Sequence, residues 1–92
     1  MNLKSNPSGD DPTWQEAWDL FEGICVLCQG RAGCIHEIVP RSRRPSDWWK
    51  IDNRVALCNY CHSQIHAGNP LDYVDLLIVK RDCLLQVLGK TI

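Results

Sequence analysis

Three histidines and two cysteine pairs are the residues of this chain best suited to do chemistry. Cys25 and Cys28 form one C-x-x-C pair and Cys58 and Cys61 a second, with 29 residues between them. Each pair can present two thiolates to one tetrahedral ion, so the four sulfurs suit a structural Zn²⁺. No βαβ pattern surrounds either pair, which argues against a thioredoxin-like redox role. The bland alternative is four reduced cysteines packed as small hydrophobes. All three histidines fall in or beside this framework: His36 with Glu37, His62 directly after Cys61, and His66 four residues later. A His-x-x-x-His pair puts both rings on one helix face. His36, from a facing strand, would make a third ligand. Three protein ligands leave positions open for water or a phosphate oxygen, the arrangement of a catalytic ion.

The elements that must hold these groups are legible in outline. Residues 1–12 are polar, carry two prolines and read as a flexible lead without the apolar core of a signal peptide. Thr13 offers an N-cap, with Glu16 completing a capping box. Trp14, Ala17, Trp18 and Phe21 then recur on one helical face, most simply a packing face, and Gly23 ends the helix. Residues 24–39 predict a β-hairpin: a strand Ile24 to Cys28, a turn through Gly30 and Gly33, and a strand Cys34 to Val39 stopped by Pro40. Residues 41–52 predict a polar loop. A second helix is expected from Val55 or Cys58 to Ala67, and Gly68 stops it. Asn69 caps a third helix with Pro70 at its first position, and Gly89 ends it. Leu71, Val74, Leu77, Ile78, Leu84, Leu85 and Leu88 supply its apolar face, for packing or for a dimer contact. Cys34 and Cys83 read as buried apolar residues.

Composition bounds the rest. A chain of 92 residues is one domain, small enough to need a staple beyond its hydrophobic core. Hydrophobic content of 45% with 23% charged residues excludes a disordered chain. No apolar run approaches the roughly 18 residues of a membrane span, so no membrane partner is expected. The cysteine usage suits a reducing cytoplasm. Net charge is −1, which excludes a protein that coats nucleic acid by bulk charge. The distribution is uneven, however. Residues 1–22 sum to −4, and residues 31–54 to +3, through Arg31, Arg41, Arg43, Arg44, Lys50 and Arg54 against Glu37, Asp47 and Asp52. A polyanion would meet the middle of the chain. Arg41, Arg43, Arg44 and Arg54 are candidates to grip phosphates, and Trp48 and Trp49 to stack on bases, unless this is simply a solvated loop with one tryptophan packed on the first helix.

One resemblance gathers these features. The run His36-Glu37-Ile38-Val39-Pro40-Arg41-Ser42, then Asp52-Asn53-Arg54-Val55-Ala56-Leu57-Cys58, then Cys61-His62 and His66, resembles the HNH nucleases of the ββα-metal fold over about residues 24–67. The nine-residue step from Asn53 to His62 is similar to that in the HNH domain of the RNA-guided nucleases, and His62 and His66 to the helix histidines of the nuclease colicins. The resemblance implies an α+β fold: a zinc-stapled ββα-metal core at 24–67 within a single domain 13–92, with an added N-terminal helix and a C-terminal helix at about 70–89. It implies a metal-dependent endonuclease cutting DNA phosphodiesters with low sequence specificity, by nicking or cleavage. By resemblance His36 and His62 bind a catalytic divalent cation (Mg²⁺, Mn²⁺, Ni²⁺ or Zn²⁺), His66 is a third ligand, and Asn53 anchors the loop. The family usually carries histidine second in the strand pair, where this chain has Glu37. Three readings stay open. Glu37 is the general base, despite an ordinary carboxylate pKa of about 4.3. Alternatively Glu37 and His36 exchange roles, or the site only binds, as a zinc-containing DNA- or protein-interaction module. Free-standing proteins of this family also imply phage packaging proteins as partners, a bacterial or phage-infected cytoplasm, and a monomer or weak homodimer.

Overall fold

In the computed structural model, residues 11–92 are described. The expected flexible lead lies outside the described residues, apart from Asp11 and Pro12. The elements run α1 (Trp14–Leu20), β1 (Cys34–Glu37), a short 3-10 turn (Ile51–Asn53), β2 (Arg54–Leu57), α2 (Asn59–Ala67), a second 3-10 turn (Pro70–Tyr73) and α3 (Val74–Leu88). β1 and β2 form a two-stranded antiparallel sheet in which Cys34 faces Leu57, His36 faces Val55 and Glu37 faces Arg54. The fold is a small α+β arrangement of three helices and one hairpin-like sheet with a long connection.

β2 decides between the two helix starts that the sequence offered, since Val55 lies in a strand and Cys58 is the N-cap of α2, and it corrects the pairing of Cys34–Val39 with residues 24–28. Val55, Ala56 and Leu57 are all fully buried. A short apolar run buried on both faces has no amphipathic period, so its sequence cannot separate strand from helix. The segment expected as the first hairpin strand is instead a tight knuckle. Ile24 bridges Arg31, the Cys25 N–H donates to the Gly30 carbonyl at 2.8 Å, and Gln29 takes a left-handed φ of 62°. The knuckle is tied to the sheet by the Val26 N–H, which donates to the Ala56 carbonyl at 3.0 Å. Gly33 then lets the chain pass α2 closely, since a Cβ there would lie 2.6 Å from the Asn59 Oδ1.

α1 forms as its apolar spacing predicts, with Trp14, Ala17 and Phe21 buried and Trp14 stacked on Trp18 at 5.4 Å. The capping box does not form. The Thr13 hydroxyl instead donates to the Trp49 carbonyl and accepts from Arg54 Nη1, so it joins the loop to β2 rather than capping its own helix. At the other end of the chain the Asn69 side chain accepts the Leu71 N–H at 3.1 Å, and Gly89 stops α3 with a φ of 71°. α3 buries Leu77, Leu84 and Leu85 against the core formed by Phe21, Val26, Ile38, Val55, Leu57 and Ile65. Cys83, expected inside, is exposed, because it lies off the face that α3 turns to the core, and Leu71 of the expected apolar face is exposed too. Cys34 is half-buried and directs its sulfur to the Leu57 carbonyl.

Candidate functional site

Two loops and one helix bring the four sulfurs together. The knuckle supplies Cys25 and Cys28, and the start of α2 supplies Cys58 and Cys61. Their ligand atoms all lie within 4.8 Å of one another. Cys28 Sγ and Cys58 Sγ are 3.7 Å apart, near the edge of about 3.8 Å for a tetrahedron with metal–sulfur bonds of about 2.3 Å. Backbone N–H groups point at two of the sulfurs, Gly30 at Cys28 (3.4 Å) and Cys61 at Cys58 (3.3 Å). The Cys61 N–H chiefly draws the Cys58 thiol down to about 7, while burial pushes Cys61 up. Four neighbouring thiolates repel one another, and a divalent cation removes that cost. The cluster is compatible with a zinc site.

A second group lies farther along α2. His62, half-buried, and His66, exposed, share one face of it, and His36 meets them from β1. The ring centroids are 5.3 Å apart for His36–His62, 5.6 Å for His36–His66 and 4.4 Å for His62–His66, and one nitrogen of each ring lies within 4.8 Å of the others. The three rings line a cavity of about 170 Å³ with Ile35, Glu37, Pro40 and Pro70. His36 is 5% exposed, and burial, aided by its two neighbouring imidazoles, holds its pKa down to about 4. Burial and His66 also lower His62, against the pull of Glu37. Both rings are therefore neutral at pH 7, the form that binds metal. His36 Nε2 is buried without a hydrogen-bond partner among the described residues. A buried ring nitrogen costs free energy in either tautomer unless it meets a partner, so the donor set fits a cation. Comparisons with protein-family models, with curated proteins and with solved structures found no match. The chemistry is accordingly read from these side chains themselves.

Asn53 is 1% exposed and closes the loop that follows β1. Its Oδ1 accepts the Val39 N–H at 2.8 Å, and its Nδ2 donates to the Val39 and Trp48 carbonyls, both at 3.0 Å. The loop itself is a chain of tight turns. Arg44 makes a bidentate pair with Asp47 at 2.9 and 2.8 Å, and that hydrogen bonding holds the Asp47 carboxyl below its usual range. Arg41 reaches back to Glu37 (3.1 Å) and lies over the Trp48 ring at 3.6 Å, while Arg43 is exposed. Trp49 is exposed, and its backbone carbonyl holds Thr13.

Arg54 overturns its expected role as a phosphate grip. It is 1% exposed and makes a bidentate pair with Asp11 at 2.8 and 2.7 Å. Burial pushes the Asp11 carboxyl up, but the Arg54 hydrogen bonds and charge outweigh it and leave it lowered. Total charge along the chain gives no sign of which arginine turns inward, so this pairing was invisible in sequence. Also missed were Ile35, Pro40 and Pro70, the apolar walls of the histidine cavity. Pro40 and Pro70 read only as element boundaries.

Proposed function

We propose that this chain is a metal-dependent endonuclease of the HNH type that hydrolyses DNA phosphodiester bonds with low sequence specificity. The observation that carries this reading is the meeting of His36, His62 and His66 in one cavity with a carboxylate, Glu37, apart from the four-sulfur cluster. His36, His62 and His66 would hold the divalent cation, with Mg²⁺, Mn²⁺, Ni²⁺ and Zn²⁺ all candidates. Once bound it supplies Lewis-acid stabilisation of the charge that develops on the phosphate and the leaving oxygen.

The rest falls to the chain's own groups. Glu37 accepts a proton from the attacking water at its carboxylate, as the carboxylate that lines the cavity with the three rings. Asn53 keeps the loop after β1 closed, so that Glu37 and Arg41 hold their places. Arg41, paired with Glu37, and the exposed Arg43 would meet phosphates, and Trp48 and the exposed Trp49 would offer rings for a base to stack on. Arg54 belongs to the scaffold. The cavity has room for a phosphate, and a site that grips the backbone suits weak sequence preference.

A second reading rests on the cysteine cluster alone: a zinc-containing module that binds DNA or a protein and turns nothing over. Plasmid nicking separates the two. With a divalent cation present, the native chain is expected to nick supercoiled DNA and His62→Ala to lose that activity while keeping one zinc per chain. Glu37→Ala is expected to be inactive and Glu37→His active. A native chain that nicks with none of the four cations leaves the module as the answer.

A further inference from the structure

Arg41 stands between a protein carboxylate and open solvent. Its guanidinium lies on the face of Trp48, 3.6 Å from the ring centroid, which fixes the plane of the fork. It holds Glu37 through Nε alone, at 3.1 Å. Among the described residues, Nη1 and Nη2 make no hydrogen bond, so two forked donors remain for an anion. The Arg41 side chain is 58% exposed and that of Glu37 21%. Glu37 also lines the histidine cavity, so the pair sits at its edge. At about 170 Å³ the cavity is smaller than the roughly 300 Å³ at which sites for drug-sized ligands begin, and it has room for a phosphate group.

We infer that Arg41 exchanges Glu37 for a DNA phosphate: in the resting protein the carboxylate occupies the guanidinium, and the incoming backbone takes the guanidinium and releases the carboxylate toward the three histidines. This rests on the endonuclease reading. An ion pair this exposed holds weakly. A DNA phosphate brings bidentate geometry and counterion release to the same donors. The exchange couples backbone binding to freeing of the base, so Glu37 is unpaired only when substrate is seated. Trp48 acts as the positioning residue that keeps the guanidinium between its two anions.

The test is a double-substitution cycle read by DNA binding, with a short fluorescein-labelled duplex and the zinc-loaded full chain without added Mg²⁺. Arg41→Ala is expected to weaken binding and to reduce the slope of log affinity against log salt by about one. Glu37→Gln is expected to tighten binding roughly three- to five-fold in the native background, the size of an exposed ion pair, and to leave it nearly unchanged beside Arg41→Ala. Trp48→Leu is expected to shrink that Glu37→Gln gain, and Trp48→Phe to retain it. Should Arg41→Ala fail to fold, Arg41→Gln takes its place in the cycle. Equal tightening by Glu37→Gln in both backgrounds is a general charge effect and overturns the exchange, even where the native chain nicks DNA. A native chain that neither binds nor nicks DNA overturns the endonuclease reading together with it.

Discussion

Burial sets the protonation of His36, and the consequence is a pH-dependent stability. Its pKa in the folded chain is about 4, against an ordinary value of 6.5. Below pH 6.5 the unfolded chain gains a proton that the folded chain refuses until about pH 4. Stability is therefore complete above 6.5 and falls as the pH drops through that window, by about 3 kcal/mol at most. Urea denaturation at stepped pH, without added cation beyond zinc, measures the slope, and His36→Asn is expected to flatten it. Equal slopes for the two chains would refute the assignment. At this scale the sequence was informative where residue type alone implies a role. Sulfur and imidazole at metal-ligand spacing announced themselves. Arginine did not, because the same side chain grips a phosphate at the rim or fills a buried pairing site, and only the tertiary surroundings of Arg54 decide.

Among the elements, the junction of α1, the loop and β2 depends on one inward guanidinium. Arg54 Nη1 and Nη2 reach Asp11, Thr13 bridges Nη1 to the Trp49 carbonyl, and Arg54 Nε is buried without a partner. Asp11→Ala is expected to cost about 3–5 kcal/mol, because it strands a buried positive charge. Adding Arg54→Met should recover much of that loss, since an apolar side chain of similar length needs no counter-ion. Chemical denaturation of the native chain, the single variant and the double variant checks this. A double variant no more stable than the single one would mean that the pair holds more than each other. α1 and α3 were legible because their apolar residues repeat with helical period, and α3 ends at Gly89 as expected, while α1 stops at Leu20, before Gly23. β2 was not, because its four residues are buried on both faces and its partner strand lies across a long connection. The knuckle was not, because its turns are set by backbone hydrogen bonds around the sulfurs rather than by alternating side chains.

For the molecule as a whole, the expectation is that metal and fold are one equilibrium. A structural zinc contributes apparent binding energy of about 10–16 kcal/mol, as large as the whole stability of an ordinary domain at about 5–15 kcal/mol. Stripping the ion with a strong chelator is thus expected to abolish the helical far-UV signal, and returning Zn²⁺ to restore it, with Cys58→Ser unable to recover. A chain that keeps its signal with no zinc by atomic absorption would show that the apolar core suffices. The need for a staple was readable from length alone. That one short helix would serve both clusters was also legible, since Cys58, Cys61, His62 and His66 all fall within the expected second helix; the knuckle that brings Cys25 and Cys28 to it was not.

α2 is only nine residues long, yet it begins at the thiolates and ends at the imidazoles. If a thiophilic ion at the sulfurs is what orders this helix, the three imidazoles converge only after that ion is in place. Reconstitution from the stripped chain is then expected to be ordered: a cation offered without Zn²⁺ should not bring the rings together, which histidine NMR shifts would report.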